Sequence, residues 1–344
     1  MLEQARETLA GEEAWVVGGA VRDELLGRSL VDVDIACREP EAAARRFART
    51  TGGAPFPLSE RHGAWRVALA DGRTVDFTPL RNGIEADLAT RDFTINAVAR
   101  PLAGGEPVDP FGGVSDLERR LLRAVGSTVF EDDPLRLLWA VRLEDELDLR
   151  LDPETERLVR EHASLVDRPA GERILAELVR LTAPGFRRLD ELGLLAPLGG
   201  SVERLTELEA AGTEMRLVAV FGAQLAALPV SNELRRYARA LLRAEPPAEL
   251  SPRSVYRFRR ATEPWALDAA RFAGAGEELE RAIEEARTHD PDEPLLRGDE
   301  LGLPPGPEIG RLLALVEEER AAGTITTREE ALELVRRESG VAES

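Results

Sequence analysis

The rhythm of apolar and polar positions changes near residue 125. Before it, short apolar runs alternate with glycine-rich turns. Residues 14–17 form one such run, which ends at Gly18-Gly19, and 20–26 then reads as a helix. Val31, Val33 and Ile35 alternate with Asp32 and Asp34, the period of two of a half-buried strand. Residues 65–69 and 74–77 flank Asp71-Gly72, a strong hairpin signal. Together these predict a small mixed sheet with helices. From Asp133 onward Leu135, Leu138, Val141 and Leu143 fall close to helical spacing, and 154–162, 171–181 and 186–192 continue it. Pro246-Pro247 and Pro304-Pro305 separate later helical groups, and the acidic stretch 277–344 reads as helical.

Composition sharpens this picture in a few places. A chain of 344 residues suggests two or three domains, and 43% hydrophobic residues suffice to fill real cores. No run of about 18 apolar residues exists, and residues 1–7 carry acid and no apolar core of a signal peptide, so a cytoplasmic protein with no membrane partner is expected. One cysteine, Cys37, excludes an intrachain disulfide and any multi-cysteine zinc site; a small buried residue is expected there. The formal net charge of −19 argues against a surface uniformly coated in nucleic acid, yet leaves room for a local basic groove. All 45 basic residues are arginine, which rules out lysine-based Schiff-base or Walker chemistry.

Four groups of residues carry candidate chemistry. Gly18-Gly19, followed by Ala20-Val21-Arg22-Asp23, sits between a strand and a helix, where backbone N–H groups can approach a phosphate and Arg22 can add a charge-assisted contact. A simple strand-to-helix turn explains the same glycines. Asp32 and Asp34, two apart on a strand, point to one side, and two carboxylates there repel unless a cation lies between them; hard oxygen ligands suit Mg²⁺. A neighbouring strand must supply a further carboxylate, and Asp76 on the hairpin is the candidate. An exposed strand face explains a lone Asp-X-Asp equally well. The third group is Arg91-Asp92-Phe93-Thr94-Ile95-Asn96-Ala97. The fourth is Glu131-Asp132-Asp133-Pro134-Leu135-Arg136 with Arg142, where Asp133 and Arg136 are expected to share a helix face and can pair with a base edge.

In their order and spacing these groups, with Asp109-Pro110-Phe111-Gly112-Gly113, resemble the class II tRNA nucleotidyltransferase/poly(A) polymerase family, which includes the CCA-adding enzymes. Glu172-Arg173-Ile174, Glu177-Leu178, Gly298-Asp299 and Pro305-Gly306-Pro307 extend the resemblance along nearly the whole chain. It implies an α+β protein, with a polymerase-β-like nucleotidyltransferase head at 1–125, a helical neck at 126–190, a helical body at 191–265 and a helical tail at 266–344. It implies catalytic metals at Asp32 and Asp34, with Mg²⁺ as cofactor. Gly18, Gly19, Arg22, Arg91 and Asp92 would serve the incoming nucleotide, with Asp92 positioning the site. Asp133 and Arg136 would read the cytosine or adenine edge, and Arg142 would help hold the phosphates. The implied reaction is template-independent addition of C and/or A from CTP and ATP to a tRNA 3′ end, with release of pyrophosphate and no obligate protein partner. Full CCA, CC-only, A-only and poly(A) addition all fit these motifs, although no extended basic C-terminal tail favours poly(A). A non-catalytic nucleotide- or RNA-binding homologue is the competing reading.

Three positions depart from the family pattern. Trp139 stands where a second arginine usually follows Arg136, Thr90 replaces an arginine before Arg91, and Asp132 replaces a glutamate. Packing in the neck is the expected role of Trp139. For RNA, the stretch 234–260 holds eight arginines against Glu245 and Glu249, interleaved with Tyr237, Tyr256 and Phe258. Arg235, Arg236, Arg239, Arg253, Arg257 and Arg259 are the candidates for phosphate contact, with solvated faces paired to nearby acids as the alternative.

Overall fold

The computed structural model describes residues 1–59, 63–205, 208 and 211–339, which form two compact units, 1–199 and 200–344. In the first unit a six-stranded sheet is built from β1 (Ala14–Val17), β2 (Asp32–Cys37), β3 (Ala54–Ser59), β4 (Ala64–Ala68), β5 (Thr74–Pro79) and β6 (Ala99–Pro101), in the order β3-β4-β5-β2-β1-β6. Within this sheet β2 and β5 run parallel and the other pairs are antiparallel. The expected hairpin across Asp71-Gly72 is the β4–β5 pair, and the Asp32 strand lies directly beside it. The strand β3 escapes the hydrophobic pattern because Pro55 and Pro57 interrupt it. Proline has no N–H to give a central ladder, and β3 is accordingly an edge strand.

The helices of this unit are α1 (Leu2–Thr8), α2 (Gly19–Leu25), α3 (Pro40–Thr51), α4 (Ile84–Leu88), α5 (Gly113–Glu118), α6 (Val129–Asp132), α7 (Arg136–Leu147), α8 (Pro153–Glu161), α9 (Gly171–Leu178) and α10 (Ala183–Glu191). One face of the sheet buries Val33, Ile35, Val67, Val75 and Phe77 against Ala43, Ala44 and Phe47 of α3. Cys37 belongs to this core, where burial pushes its thiol up to about 12. The opposite face is apolar at Val17, Ala36 and Ala99, which pack on Ile84 and Leu88 of α4, and charged across β2, β5 and β4.

The neck helix departs from its sequence pattern at its start. The periodicity places Asp133 on the helix with Arg136, but Asp133 is extended at φ −145° and closes the short α6, and α7 begins at Arg136. The cause is Pro134, which disfavours helical backbone at the residue before it. Asp133 and Arg136 are therefore not two residues of one helix face; they flank a turn in which the Arg136 N–H donates to the Asp133 carbonyl.

The second unit is helical: α11 (Thr213–Phe221), α12 (Asn232–Leu242), α13 (Pro252–Thr262), α14 (Ala266–Phe272), α15 (Glu277–Thr288), α16 (Pro307–Ala321) and α17 (Arg328–Ser339). The expected helical end is present as α15 to α17, with 340–344 outside the described residues. Among the described residues no single helix is long and apolar enough to cross a membrane.

The Asp109-Pro110-Phe111-Gly112-Gly113 run acts as a clip. Asp109 accepts the N–H groups of Gly113 and Val114 at 2.7 and 3.0 Å, capping α5, and Gly112 takes φ +74°. A Cβ on Gly113 would lie 2.0 Å from the Thr94 carbonyl oxygen, which is backbone and cannot rotate away. Gly113→Ala is expected to destabilise the first unit by about 2–3 kcal/mol, read as a lower melting temperature, whereas Gly126→Ala, with open space around it, leaves melting nearly unchanged.

Candidate functional site

One row of residues crosses the whole sheet: Phe56, Arg66, Asp76, Asp34, Val17 and Ala99, from β3 to β6. Residues in register across neighbouring strands point to the same face, so the row sets Asp34 beside Asp76 and Asp76 beside Arg66. Asp32, two positions before Asp34, faces the same way and accepts the Thr74 hydroxyl at 2.7 Å. Because Val17 pairs with Asp34, the chain leaving β1 carries Gly18 to the carboxylate. A Cβ on Gly18 would lie 2.7 Å from Arg91 Nη1 and 3.4 Å from Asp34 Oδ2, and Gly18 takes φ +69°. Close approach and backbone conformation both require glycine here. A Cβ on Gly19 would lie 3.3 Å from Arg22 Nη2. Two guanidinium groups thus bracket the Gly18-Gly19 peptide at the edge of the aspartate pair.

Both arginines are held. Arg91 donates to Asp87 through Nη2 at 3.0 Å and Nε at 3.3 Å, which aims Nη1 at Gly18. Arg22 donates to Asp23 through Nε and Nη2 at 2.9 and 2.8 Å and to Asn96 Oδ1 at 2.8 Å. Asn96 in turn donates to both oxygens of buried Asp92 at 3.1 Å, and Asp92 also accepts the Phe93 N–H. Among the described residues Asp92 therefore reaches the site through Asn96 and Arg22, as a support. Asn96 belongs to the third candidate group without a role of its own in the sequence reading, and Asp87 is not singled out there. Asp87 lies four residues before Arg91, a helical spacing that signals such a pair.

Asp76, the further carboxylate expected beside the pair, lies in register with Asp34 on the neighbouring strand. Arg66 takes both of its oxygens, at 2.7 Å each, and among the described residues no three His, Cys, Asp or Glu side chains are gathered to hold a metal. Sequence reasoning missed Arg66, whose only sequence signal is its place on the facing hairpin strand. The pair Asp32 and Asp34 still suits Mg²⁺, which takes one or two protein carboxylates and completes its shell with water and substrate phosphate. The electrostatics favour a cation there. Burial pushes the Asp34 carboxyl up to about 6, helped by Asp76 and Asp32 and opposed by Arg91 and Arg66.

The neck residues divide. Arg136 reaches back to the head, donating to the Thr90 carbonyl at 3.1 Å and the Val129 carbonyl at 3.3 Å, next to Arg91. Its Nε and the indole N–H of Trp139, one turn on, are buried with no partner among the described residues. Asp133 accepts the Leu135 N–H at 3.1 Å and Arg173 at 2.8 Å. Arg142 is not brought to the cluster: its guanidinium is engaged by Glu177 at 2.5 Å and Glu146 at 2.7 Å.

The arginines of the second unit also divide. On α13, Arg253 pairs with Glu319 at 2.6 Å, Arg257 with Glu318 at 2.6 Å, and Arg259 with Asp290 and Glu263. On α12, Arg235, Arg236 and Arg239, with Arg243 at its end, are exposed and form no ion pair among the described residues. At helical spacing these four fall within an arc of about 100°. The buried face of α12 carries Leu234, Tyr237, Ala238 and Leu241.

The Asp34 shift makes a testable statement about stability. An acid whose folded pKa exceeds its unfolded value costs stability as pH rises past the unfolded value, here from about 4 to about 6, and the full cost persists above that. Asp34→Asn is therefore expected to stabilise the metal-free protein by roughly 3 kcal/mol at pH 7.5. The gain should shrink towards zero at pH 4 in melting curves taken with a chelator. A lower melting temperature for the variant at pH 7.5 would contradict the assignment.

Comparison with known proteins agrees with this geometry. Residues 14–83 and 70–123 match the family described as Poly A polymerase head domain, and 148–199 match the one described as Probable RNA and SrmB- binding site of polymerase A. The chain is 45% identical to a CC-adding tRNA nucleotidyltransferase of Geobacter sulfurreducens over 50% of this chain and 40% of that one. It is 32% identical to an A-adding tRNA nucleotidyltransferase of Deinococcus radiodurans over 94% and 95% of the two chains. Its fold is similar to that of the Bacillus stearothermophilus CCA-adding enzyme in complex with CTP, with a TM-score of 0.74 and 27% identity over 98% of this chain and 96% of that one. A full-length relative above 30% identity, the head-domain match and the ordered motifs on one sheet face together place the chain in the tRNA nucleotidyltransferase/poly(A) polymerase family, as a nucleotidyltransferase.

Proposed function

We propose that this chain extends the 3′ end of tRNA with C and/or A residues from CTP and ATP, releasing pyrophosphate, in an Mg²⁺-dependent reaction. The observation that carries this reading is the convergence of Asp32 and Asp34 with Arg91 and Arg22 around the Gly18-Gly19 peptide. A carboxylate pair next to a guanidinium-lined backbone suits a polyphosphate that shares a cation with the protein. Arg91 and Arg22 bind the triphosphate through charge-assisted hydrogen bonds. Gly18 and Gly19 leave room for it, and Asp92 and Asn96 fix the angle of Arg22. Asp32 and Asp34 would hold the Mg²⁺, which would supply stabilisation of the negative charge developing on the 3′ oxygen and on the leaving pyrophosphate.

Base choice falls to the neck in this reading. Arg136 lies against the Thr90 carbonyl, adjacent to Arg91, and would turn its guanidinium from the Thr90 and Val129 carbonyls to acceptors on a cytosine or adenine edge, with Asp133 as the acceptor once released from Arg173. Trp139 supports Arg136 from the next turn. Residues 1–125 then form the catalytic head, 126–190 the base-reading neck, and 191–265 and 266–344 an RNA-holding body and tail, in a cytoplasmic protein. The α12 arginines, which have no ion pair among the described residues, are the better candidates for phosphate contact, since those of α13 are neutralised by acids that include Asp290 and two glutamates of α16.

The test is incubation of tRNA lacking its 3′ end with labelled CTP, ATP or both. Wild-type protein should incorporate nucleotide, and the pattern assigns CC, A or CCA addition, between which the two named relatives differ. Asp32→Ala and Asp34→Ala should each lower incorporation at least about 10³-fold without unfolding. Nucleotide binding that ignores Mg²⁺, with no turnover on any RNA, would instead identify a binding protein.

The arginine stripe has its own signature. Removing one phosphate-neutralising arginine lowers the slope of log affinity against log salt by up to about 0.9 for a duplex. Arg235→Ala with Arg239→Ala should weaken tRNA binding and flatten that slope by about 1–2. Arg257→Ala, which removes an arginine already paired with Glu318, should leave the slope nearly unchanged.

A further inference from the structure

Arg66 belongs to no sequence motif and to no role described above, yet it sits in the charged row of the sheet. Its side chain is fixed to Asp76 by a two-pronged bond, Nε to Oδ1 and Nη2 to Oδ2, both 2.7 Å. Asp76 is 8% exposed and lies in register with Asp34, so Arg66 is the next side chain in line from the aspartate pair. Three carboxylates, Asp32, Asp34 and Asp76, share this face. Two guanidinium groups approach them, Arg91 from the Gly18 side and Arg66 from the hairpin side.

We propose that Arg66 is a positioning residue for nucleotidyl transfer: it holds Asp76 aside from Asp32 and Asp34 and acts as the fixed cation of this face when no metal is bound. This rests on the metal-site reading of Asp32 and Asp34 above. A planar guanidinium matches a carboxylate fork to fork, so Asp76 is turned towards Arg66 on β4. Without that partner, Asp76 would stand free beside Asp34 on a half-buried face, and a divalent ion would be drawn to three carboxylates instead of two. Arg66 thereby does two things at once. It lowers the repulsion that the metal-free face would otherwise carry, and it weakens the attraction of that face for a metal arriving without nucleotide. Binding of the ion then depends more on the triphosphate, which brings its own oxygens.

The experiment measures Mn²⁺ binding to the full chain by electron paramagnetic resonance, together with melting temperature with chelator and with Mn²⁺, in the absence of nucleotide. Neither readout requires turnover on tRNA. In Arg66→Gln, Mn²⁺ should bind about tenfold more tightly than in wild type, and the rise in melting temperature on adding Mn²⁺ should be larger. Arg66→Lys keeps the charge without the fork and should fall between the two, which keeps the test available if the glutamine variant folds poorly. Asp34→Asn should lose the bound Mn²⁺, locating the ion. Equal or weaker Mn²⁺ binding in both Arg66 variants would overturn the proposal while leaving nucleotidyl transfer itself untouched. Mn²⁺ binding that survives Asp34→Asn would overturn both it and the metal-site reading. Absent incorporation with the expected Mn²⁺ pattern would overturn only the proposed reaction.

Discussion

Everything at the candidate site depends on carboxylates being forced onto one face of one sheet. Parallel pairing of β2 with β5 puts Asp34 directly across from Asp76, and the period of two puts Asp32 on the same side. Like charges in register repel, and partial burial of Asp34 makes the repulsion count for more than in water. The surroundings meet this with guanidinium groups instead of with distance. Arg66 clamps Asp76, and Arg91, itself pinned by Asp87, lies against Gly18 beside Asp34. A face built in this way is less stable than an apolar one, and it suits the cation and polyphosphate proposed for it. That is the arrangement expected where binding function is retained and stability is given up for it.

The same device recurs away from the site, where it is structural. Buried Asp116 accepts the Thr94 hydroxyl at 2.6 Å and Arg123 Nε at 2.9 Å, while Arg123 Nη2 reaches the Phe111 carbonyl. This ties the Arg91–Ala97 segment to the Asp109–Gly113 clip. In the neck, Arg142 joins α7 to α9 through Glu177, and Arg188 joins α10 to Glu144 of α7 and Glu156 of α8. Burial alone would raise the pKa of Glu146, but Arg142 and Arg180 together hold it below the usual carboxylate range. With arginine and no lysine, the chain can engage two acceptors from one planar group at each of these places, which fixes direction as well as charge.

Packing also separates arginines that look the same in the sequence. In the run of eight between residues 234 and 260, charge and spacing are alike throughout. Asp290 and the acids of α16 pair with Arg253, Arg257 and Arg259, and the outer stripe of α12 stays exposed with no ion pair among the described residues.

The sequence by itself determined the alternation that makes β2 a strand with both aspartates on one side, the hairpin at Asp71-Gly72, the Gly18-Gly19 turn and the family to which the ordered motifs belong. These are local or linear properties, set by side-chain period, turn chemistry and motif order. It did not reveal the edge strand β3, whose prolines hide its pattern, nor the true start of α7, which Pro134 delays to Arg136. Tertiary structure alone decided which charges meet. The Arg66–Asp76 clamp depends on the register of β4 against β5, the Arg22–Asn96–Asp92 chain joins residues about seventy positions apart, and the ion pairs of Arg142 depend on how α9 packs on α7. Spacing along a chain can show that a charge is present, but its partner is chosen by strand register and helix packing, which many residues fix together.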